Sequence, residues 1–422
     1  MSIFTETWRW LGFAILCVVF LGAGIFIFAT MPPRTITIAT GAEGGANYEL
    51  ATRYRDILAK SGVHLRLVPT AGGLENLSLL NDPRSRVAVG FVQGGTTSRK
   101  ESPDLESLGT IAYEPVWLFY RNEIGNNIQA LRNARISIGP EGSAGRTMAI
   151  EVFKRLKIEP RELLPFPPQV AAEKLMSGDI DAAFIVTGWE SPVVQRIITA
   201  DNIELASVPR ADAYVALYPF LNKLVLPAGV ADLSLNRPPS DVMLLAPKAS
   251  LAVRSDLNPA IQHLLLSAAA QIHSQPGIFQ KAGQFPAAES IDLPLSDEAQ
   301  RFYKNGRPFL QEHLPFWLAT LVERVLVVFI PLAALMYPAF KLIPQMYDWL
   351  MQSRILRLYD EMRSIESEIK REGRRDLPTI KAKLDQLEQR ANQLRLPTRY
   401  ASMLYTLRSH LDLVRARLSG GP

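Results

Sequence analysis

The chain of 422 residues has very little cysteine and histidine. Cys17 is its single cysteine, so an internal disulfide framework is excluded. The five histidines are scattered, at positions 64, 263, 273, 313 and 410, and no two have the spacing of metal ligands. A zinc site or a catalytic histidine is therefore disfavoured, and we expect no metal and no other cofactor.

Motifs of common enzyme classes are also missing. The glycine-rich run from Gly139 to Thr147 lacks the G-K-[ST] ending and the four-residue gap between glycines that define a phosphate loop. The sequence contains no G-x-S-x-G elbow. We therefore expect a binding protein and not an enzyme.

The charge excess is small and lies in one region. The formal net charge is +5, yet residues 34–315 hold 28 Lys and Arg against 29 Asp and Glu. Residues 341–422 hold 16 against 10. Because the main domain lacks a basic excess, it lacks the electrostatic footprint of a nucleic-acid-binding protein, and no nucleic acid is expected as a partner.

An apolar run without charge extends from Leu11 to Ala29. Its 19 residues would span roughly 28 Å as a helix, close to the thickness of a bilayer core. The alternative is a cleaved signal peptide, but the length of the run and the lack of a small-x-small cleavage site favour an uncleaved anchor. Leu16 is too large for a lipoprotein signal. Residues 1–33 are thus predicted to be an N-terminal transmembrane anchor.

A strand, a glycine-rich turn and the start of a helix follow one another three times, within 35–58, 65–80 and 136–153. In the first copy Ile36 and Ile38 alternate with threonines, which is typical of a strand. Glycine lets backbone N–H groups approach a bound group, and a helix start carries about half a positive charge, so an anion is favoured there. A tight turn without a ligand explains one copy equally well. Three copies in an α/β pattern predict one cleft lined by strand ends and helix starts.

Six segments in this order and spacing resemble the TAXI-type solute-binding proteins of TRAP transporters, over about residues 35–315. They are T-I-A-T-G-A-E-G-G-A-N-Y at 37–48, P-T-A-G-G-L-E-N-L-S-L-L at 69–80, V-A-V-G-F-V-Q at 87–93, I-S-I-G-P-E-G-S-A-G-R-T at 136–147, E-K-L-M-S-G-D-I-D-A-A-F at 173–184 and T-G-W-E-S-P-V-V-Q at 187–195. The resemblance implies an α/β, two-lobed periplasmic-binding-protein fold, type II-like, that closes on a ligand between its lobes. It also implies a small carboxylate-bearing solute, such as glutamate or 2-oxoglutarate, and TRAP membrane subunits as partners. Usual members lack the apolar segments and the charged tail of this chain.

The solute-binding domain is predicted to cover residues 34–315. Its first lobe would comprise residues 34–119 and 212–315, and its second lobe residues 120–211. Two crossings between the lobes would form a hinge, and closure about that hinge is the expected movement.

The candidate ligand-binding residues fall into three groups. Glycines and neutral hydrogen-bonding groups at the turns would orient a polar ligand. Arg146 could grip a carboxylate with two parallel bonds, or it could be a solvated helix-start arginine. Tyr113 and Trp189 could pack on the apolar part of the ligand, or they could be ordinary core residues. The full set is Thr40, Gly41, Gly44, Gly45, Asn47, Tyr48, Thr70, Gly72, Gly73, Asn76, Gln93, Tyr113, Ser143, Ala144, Gly145, Arg146, Thr147, Gly188 and Trp189.

A second apolar segment, residues 316–340, is long enough to cross a bilayer even when tilted. Glu323 and Arg324 interrupt it. This pair would either contact a partner helix or reach the membrane interface, and the interface is favoured because the segment beyond Val325 stays apolar. Residues 316–340 are thus predicted to be a second transmembrane helix.

Residues 341–422 show apolar side chains at steps of three and four, the spacing of a coiled-coil seam, in three blocks at 355–369, 380–394 and 404–418. Three amphipathic helices are predicted, able to form a hairpin or small bundle or to associate with a second copy. Their basic excess beside a membrane span favours the cytoplasm. The binding domain would then lie outside the cytoplasmic (inner) membrane of a bacterium, in the periplasm.

Three functions are compatible with this organisation. The first is a membrane-anchored solute-binding subunit for TRAP-type transport. The second is a ligand sensor or scaffold that relays occupancy of the binding domain to the helical tail. The third is a binding domain that has lost its ligand and serves only assembly.

Overall fold

The computed structural model describes residues 2–121, 128–306, 310, 313–372, 377–394 and 396–419. They form two compact units, one of residues 30–321 and the other of residues up to 29 together with those from 322 onward. The larger unit contains the predicted binding domain and is built on two β-sheets.

The described strands are β1 (Thr35–Ala39), β2 (His64–Val68), β3 (Val89–Gln93), β4 (Leu105–Tyr113), β5 (Val116–Arg121), β6 (Arg135–Ser137), β7 (Glu162–Leu164), β8 (Ala182–Val186), β9 (Ile203–Leu205), β10 (Leu221–Leu226) and β11 (Val242–Arg254). The described α-helices are α1 (Ser2–Ala29), α2 (Ala46–Lys60), α3 (Gly73–Asn81), α4 (Ala144–Leu156), α5 (Pro168–Ser177), α6 (Pro192–Ile198), α7 (Ala211–Leu217), α8 (Pro259–His273), α9 (Asp297–Asn305), α10 (Phe316–Glu372), α11 (Leu377–Gln393) and α12 (Ala401–Ser419). Short 3-10 helices cover Ile128–Asn133 and Thr398–Tyr400.

The larger sheet has the strand order β10-β11-β3-β1-β2, with β4 also paired to β11. The first lobe is built on β1 to β4 and the second half of β11, whereas β10 and the first half of β11 pack in a core with Trp117 of β5. β1 runs parallel to β2 and β3, whereas β11 runs antiparallel to β3 and β4. The alternation in β1 places Ile36 and Ile38 in the core, since successive side chains of a strand point to opposite faces. Tyr54 of α2 and Leu265 of α8 join the same core.

The second lobe is built on the sheet ordered β7-β6-β8-β5-β9. Alternate residues of its strands belong to two separate cores. Trp117 packs with Leu175 of α5 and Ile197 of α6, whereas Phe184 packs with Phe153 of α4. Helices therefore cover both faces of this sheet. The prediction of a mixed α/β fold with two sheets is confirmed.

Two strand segments connect the lobes. The first crossing is at Glu114, between β4 of the larger sheet and β5 of the smaller one. The second lies inside β11, whose residues 242–247 pair with β10 and whose residues 249–253 pair with β3. The predicted return to the first lobe at residue 212 stays a prediction. Leu224 and Leu226 of β10 are buried in the same core as Trp117 of β5.

The smaller unit contains α1 and the greater part of α10. Within the described residues, one segment is long and apolar enough to cross a membrane, Phe316–Pro338 at the start of α10. The segment Cys17–Ala29 of α1 is apolar but shorter. The predicted second span is thus matched by a suitable helix, whereas the N-terminal span, from Leu11 to Ala29, stays a prediction.

The C-terminal region is helical, as predicted. The seam residues of all three blocks lie in one apolar core, exemplified by Ile365 on α10, Leu387 on α11 and Leu407 on α12. One feature differs from the expectation of a separate first tail helix. α10 is a single helix of 57 residues that continues from the apolar segment through Pro344 into the tail.

Truncating Leu407 to alanine is expected to destabilise the tail core by about 2–5 kcal/mol, because the buried side chain leaves a cavity behind. Limited proteolysis of the full chain in detergent would then show faster cleavage in the tail. Leu413→Ala is the matched control on the same helix, since Leu413 is 56% exposed and should change stability by no more than about 0.5 kcal/mol. Equal cleavage rates for the two variants would contradict the bundle.

Candidate functional site

The three glycine-rich turns meet at one cavity of about 150 Å³. Gly41 and Gly45 come from the first turn and Gly72 and Gly73 from the second. The third turn contributes Gly139, Pro140, Ser143, Ala144 and Gly145. The first two turns belong to the first lobe and the third belongs to the second lobe, so the cavity lies in the cleft between the lobes. A cavity of this volume holds a molecule about the size of benzene.

Three helices begin at this cavity. The N-caps of α2, α3 and α4 are Gly45, Gly72 and Ser143, and all three residues line the cavity. The first N–H groups of a helix have no partner within the helix, and the macrodipole places partial positive charge there. The wall thus offers backbone donors and a favourable potential for an anion. Of the side chains that line this cavity among the described residues, none is cationic.

Gly72 shows why a glycine is needed where the second turn faces the opposite lobe. Its φ of +139° is one that L side chains rarely adopt, and a Cβ there would lie 3.4 Å from the Cα of Ser143 in the opposite lobe. A larger residue would strain the turn and hold the lobes apart.

Two hydrogen bonds join the lobes beside the cavity. The side-chain amide of Gln169, at the start of α5, donates to the carbonyl of Gly44 at 2.9 Å. The backbone N–H of Glu75 donates to the carbonyl of Gly142 at 3.3 Å. Both hydrogen bonds join the first lobe to the second, so closure is stabilised by contacts at the rims of the turns.

Glu114 stands at the hinge and lines the cavity. Its backbone N–H donates to the carbonyl of Pro247 at 2.9 Å, which ties the two crossing segments together. Desolvation raises the pKa of its carboxyl group to about 7, although hydrogen bonds from the side chains of Asn47 and Gln93 act in the opposite direction. A titratable carboxyl group therefore sits between two neutral amides inside the cleft.

A second cavity, of about 310 Å³, adjoins the first and shares Ala46, Asn47, Glu114 and Ser191 with it. Tyr113, Trp189 and Phe279 contribute aromatic surface to its wall. The rings of Trp189 and Phe279 meet edge to face, with centroids 6.5 Å apart. We call the cavity at the turns the inner cavity and this one the outer cavity.

The structure brings most of the predicted ligand-binding residues to these two cavities. Those on the inner wall are Gly41, Gly45, Asn47, Gly72, Gly73, Gln93, Ser143, Ala144 and Gly145. Those on the outer wall are Asn47, Tyr113, Gly188 and Trp189. The others, which line neither cavity, are Thr40, Gly44, Tyr48, Thr70, Asn76, Arg146 and Thr147.

Several residues of that last group stabilise the turns that form the wall of the inner cavity. Asn76 is fully buried and donates to the carbonyls of Thr40, at 2.8 Å, and Phe91, at 2.9 Å, while it accepts a hydrogen bond from Thr70. The guanidinium of Arg146 donates to the carbonyl of Gly139 at 3.2 Å, which braces the third turn. These side chains hold the turns in place and do not face the cavities.

Sequence reasoning missed Glu114, Gln169 and Phe279. Glu114 could have been noticed, since it is an acidic residue between the apolar positions of a crossing segment. Gln169 reaches the cleft only because α5 begins there, and Phe279 lies far along the chain from the turns. No short motif marks either of them.

In the described part of the chain, no three His, Cys, Asp or Glu side chains are grouped so that they could hold a metal ion. The chemistry available in the cavities is hydrogen bonding, electrostatics and aromatic packing. This set can bind and orient a small polar molecule.

Comparison with known proteins gives a family match over residues 38–306, to the NMT1-like family. Among solved structures, one described as a periplasmic transporter is 13% identical over 65% of this chain and 94% of its own, with a TM-score of 0.41. MatC from Rhodopseudomonas palustris with bound malate is 15% identical over 71% and 98%, with a TM-score of 0.40. The amino acid ABC transporter substrate-binding protein AbpA from Streptococcus pneumoniae, bound to L-arginine, is 12% identical over 57% and 89%, with a TM-score of 0.37.

Proposed function

This chain belongs to the NMT1-like family, and we propose that its two-lobed unit captures a small carboxylate-bearing solute in the cleft between the lobes. The observation that carries the proposal is the meeting of three helix starts and three glycine-rich turns, drawn from both lobes, at one cavity. Backbone N–H groups would bind the anion, and Asn47 and Gln93 would orient it. Binding, not catalysis, is the use these groups favour.

We further propose that the unit works outside the cytoplasmic membrane of a bacterium, anchored by Leu11 to Ala29 and by the start of α10, with the basic tail in the cytoplasm. The apolar segment Phe316–Pro338 supports an anchor beside the binding unit. The excess of Lys and Arg beyond it supports the orientation of the tail.

Delivery of a small carboxylate-bearing solute, glutamate-like or 2-oxoglutarate-like, to TRAP membrane subunits is the transport role we propose. It rests on the resemblance of the turn segments to TAXI-type proteins. Affinity purification of the tagged full chain from its native membrane tests it, and copurifying TRAP membrane subunits are the expected result. Their absence from a preparation that retains bound solute would contradict this role.

A ligand sensor or scaffold is the second candidate. The observation in its favour is α10, which runs from the apolar segment into the tail core as one helix of 57 residues. A rigid helix can transmit a displacement from one end to the other. Ligand-dependent protection of the tail from proteolysis would favour this function over simple delivery.

The site itself is tested at Gly73, the first residue of α3. A Cβ at this position would lie 3.6 Å from the Cβ of Ala144 across the cleft and 3.7 Å from the backbone nitrogen of Gln93. Gly73→Leu should therefore fill the inner cavity and weaken solute binding by about 100-fold or more, since the cavity holds only a benzene-sized molecule. Isothermal titration calorimetry of the full chain in detergent, with amino acids, dicarboxylates and 2-oxo acids as probes, measures the loss.

Gly73→Ala provides the graded comparison. Its methyl group would make ordinary van der Waals contacts, so less than a tenfold loss is expected. Both variants should unfold within a few degrees of the parent protein. A leucine variant that binds as tightly as the parent would show that the solute does not occupy the inner cavity.

A further inference from the structure

Glu114 is the one ionisable residue among the described residues that line the inner cavity, and it also lines the outer cavity. It lies at the first crossing between the lobes. Its backbone N–H donates a hydrogen bond to the carbonyl of Pro247 in the second crossing segment. The side chains of Asn47 and Gln93 favour the ionised form of its carboxyl group, whose pKa is nevertheless raised by desolvation. A solute that fills the inner cavity and extends into the outer one must pass this carboxyl group.

Besides Glu114, the charged side chains that line the outer cavity have a net negative charge. Glu49 and Arg53 come from α2, and Glu190 comes from the segment before α6. His273 of α8 adds no charge, because burial lowers its pKa to about 4 and its ring nitrogen is bonded to the hydroxyl of Tyr54. Two carboxylates against one guanidinium disfavour a second negative charge on the solute.

The other cations close to the hinge have partners of their own. Lys248 of β11 pairs with Glu289 at 2.6 Å and lies over the ring of Tyr113, 5.5 Å from its centroid. Arg146 of α4 donates to the carbonyl of Gly139. No cationic side chain lines the inner cavity among the described residues, so the position beside Glu114 favours a positively charged group on the solute.

We propose that Glu114 makes the site selective for an α-amino acid. The carboxylate of the amino acid would lie at the starts of α2, α3 and α4, its ammonium group would bind Glu114, and its side chain would enter the aromatic outer cavity. A 2-oxo acid lacks the ammonium group and so offers the carboxylate of Glu114 no opposite charge. This inference rests on the proposed function, since it assigns the solute class of the same cleft.

The selectivity has a pH dependence of definite sign. In the empty site the pKa of Glu114 is about 7, and only the ionised form can bind an ammonium group. Affinity for an amino acid is therefore full above that pKa and is lost as the pH falls through it, approaching tenfold per pH unit. Between pH 8 and pH 5 we expect a loss of about 100-fold. A protonated Glu114 that donated to a solute carboxylate would give the opposite slope.

Calorimetric titration of the full chain in detergent from pH 5 to pH 8 tests the inference with two matched pairs of probes. They are L-leucine with 4-methyl-2-oxopentanoate, and L-glutamate with 2-oxoglutarate. At least one amino acid should bind ten or more times more tightly than its 2-oxo partner, and its affinity should rise with pH. Glu114→Gln should weaken that binding about 10- to 100-fold at pH 8 and remove the slope, since a charge-assisted hydrogen bond is lost. Glu114→Asp should restore the slope.

The other outcomes distinguish a failure of the role proposed for Glu114 from a failure of the proposed solute-binding cleft. Tighter binding of the 2-oxo acids, or affinity that falls as the pH rises, would overturn the role of Glu114 and leave the solute-binding cleft standing. No binding of any probe across the pH range by folded protein would overturn both. The pH profile of the unaltered chain decides between these cases even if Glu114→Gln fails to fold.

Discussion

Replacing Gly109 by alanine is expected to lower the free energy of unfolding of the two-lobed unit by about 4 kcal/mol. Gly109 lies in β4 with a φ of +105°, and a Cβ there would lie 2.5 Å from the carbonyl oxygen of Ala287 and against the hydroxyl of Tyr303. Neither neighbour can move cheaply. The backbone N–H and carbonyl of Ala287 form hydrogen bonds with the backbone carbonyl and N–H of Thr110. The hydroxyl of Tyr303 donates to the carbonyl of Leu108 at 2.8 Å.

Gly283→Ala is the control that separates backbone strain from the clash. Gly283 also has a positive φ, +70°, but a Cβ there would meet no atom within 4 Å. Only the strain of the left-handed conformation remains, which costs about 1–2 kcal/mol. Thermal unfolding of the full chain in detergent should show a shift for Gly109→Ala at least twice that for Gly283→Ala. Equal shifts would contradict the close approach of Ala287 and Tyr303 to Gly109.

The glycine-rich turns could be predicted from the sequence because their signal is local. A period of two followed by glycines and then a period of about 3.6 marks a strand, a turn and a helix. The meeting of the first two turns in one place also follows from the pattern, because β1 and β2 are parallel and the carboxyl ends of parallel strands lie at the same edge of a sheet.

The lobe boundary could not be read in the same way. Leu224 and Leu226 of β10 have the alternation of any half-buried strand, and nothing in that pattern says which core they enter. Their partner is Trp117, more than a hundred residues earlier in the chain. Local pattern therefore does not show which lobe a strand such as β10 packs with.

The candidate site shows the same division between local and non-local information. Asn76 and Thr70 stand beside a glycine turn and have the hydrogen-bonding groups of a ligand site, yet their groups are used within the protein. Glu114 was passed over because it stands outside the turns. Residue type and sequence position identify a side chain as a candidate for ligand binding. The direction in which that side chain points depends on packing between elements that are distant in sequence.

Asn76→Leu is the second substitution with a large expected effect, about 4 kcal/mol of unfolding free energy. The two side chains are similar in size, so the loss comes mainly from hydrogen bonds. The carbonyls of Thr40 and Phe91 would lose their donor and the hydroxyl of Thr70 its acceptor, all inside the core. Each buried polar group left unpaired costs about 1–3 kcal/mol.

The same substitution should also abolish solute binding in the protein that remains folded, because Asn76 joins the first turn, the second turn and the end of β3. Ser78→Ala on the same helix is the control, since Ser78 is exposed and should change stability by no more than about 0.5 kcal/mol. Thermal unfolding and calorimetric titration at a temperature where both variants are folded measure the two effects. Destabilisation without loss of affinity would show that the turns keep their positions without Asn76, and that the cavity is shaped by the glycines and the closure of the lobes alone.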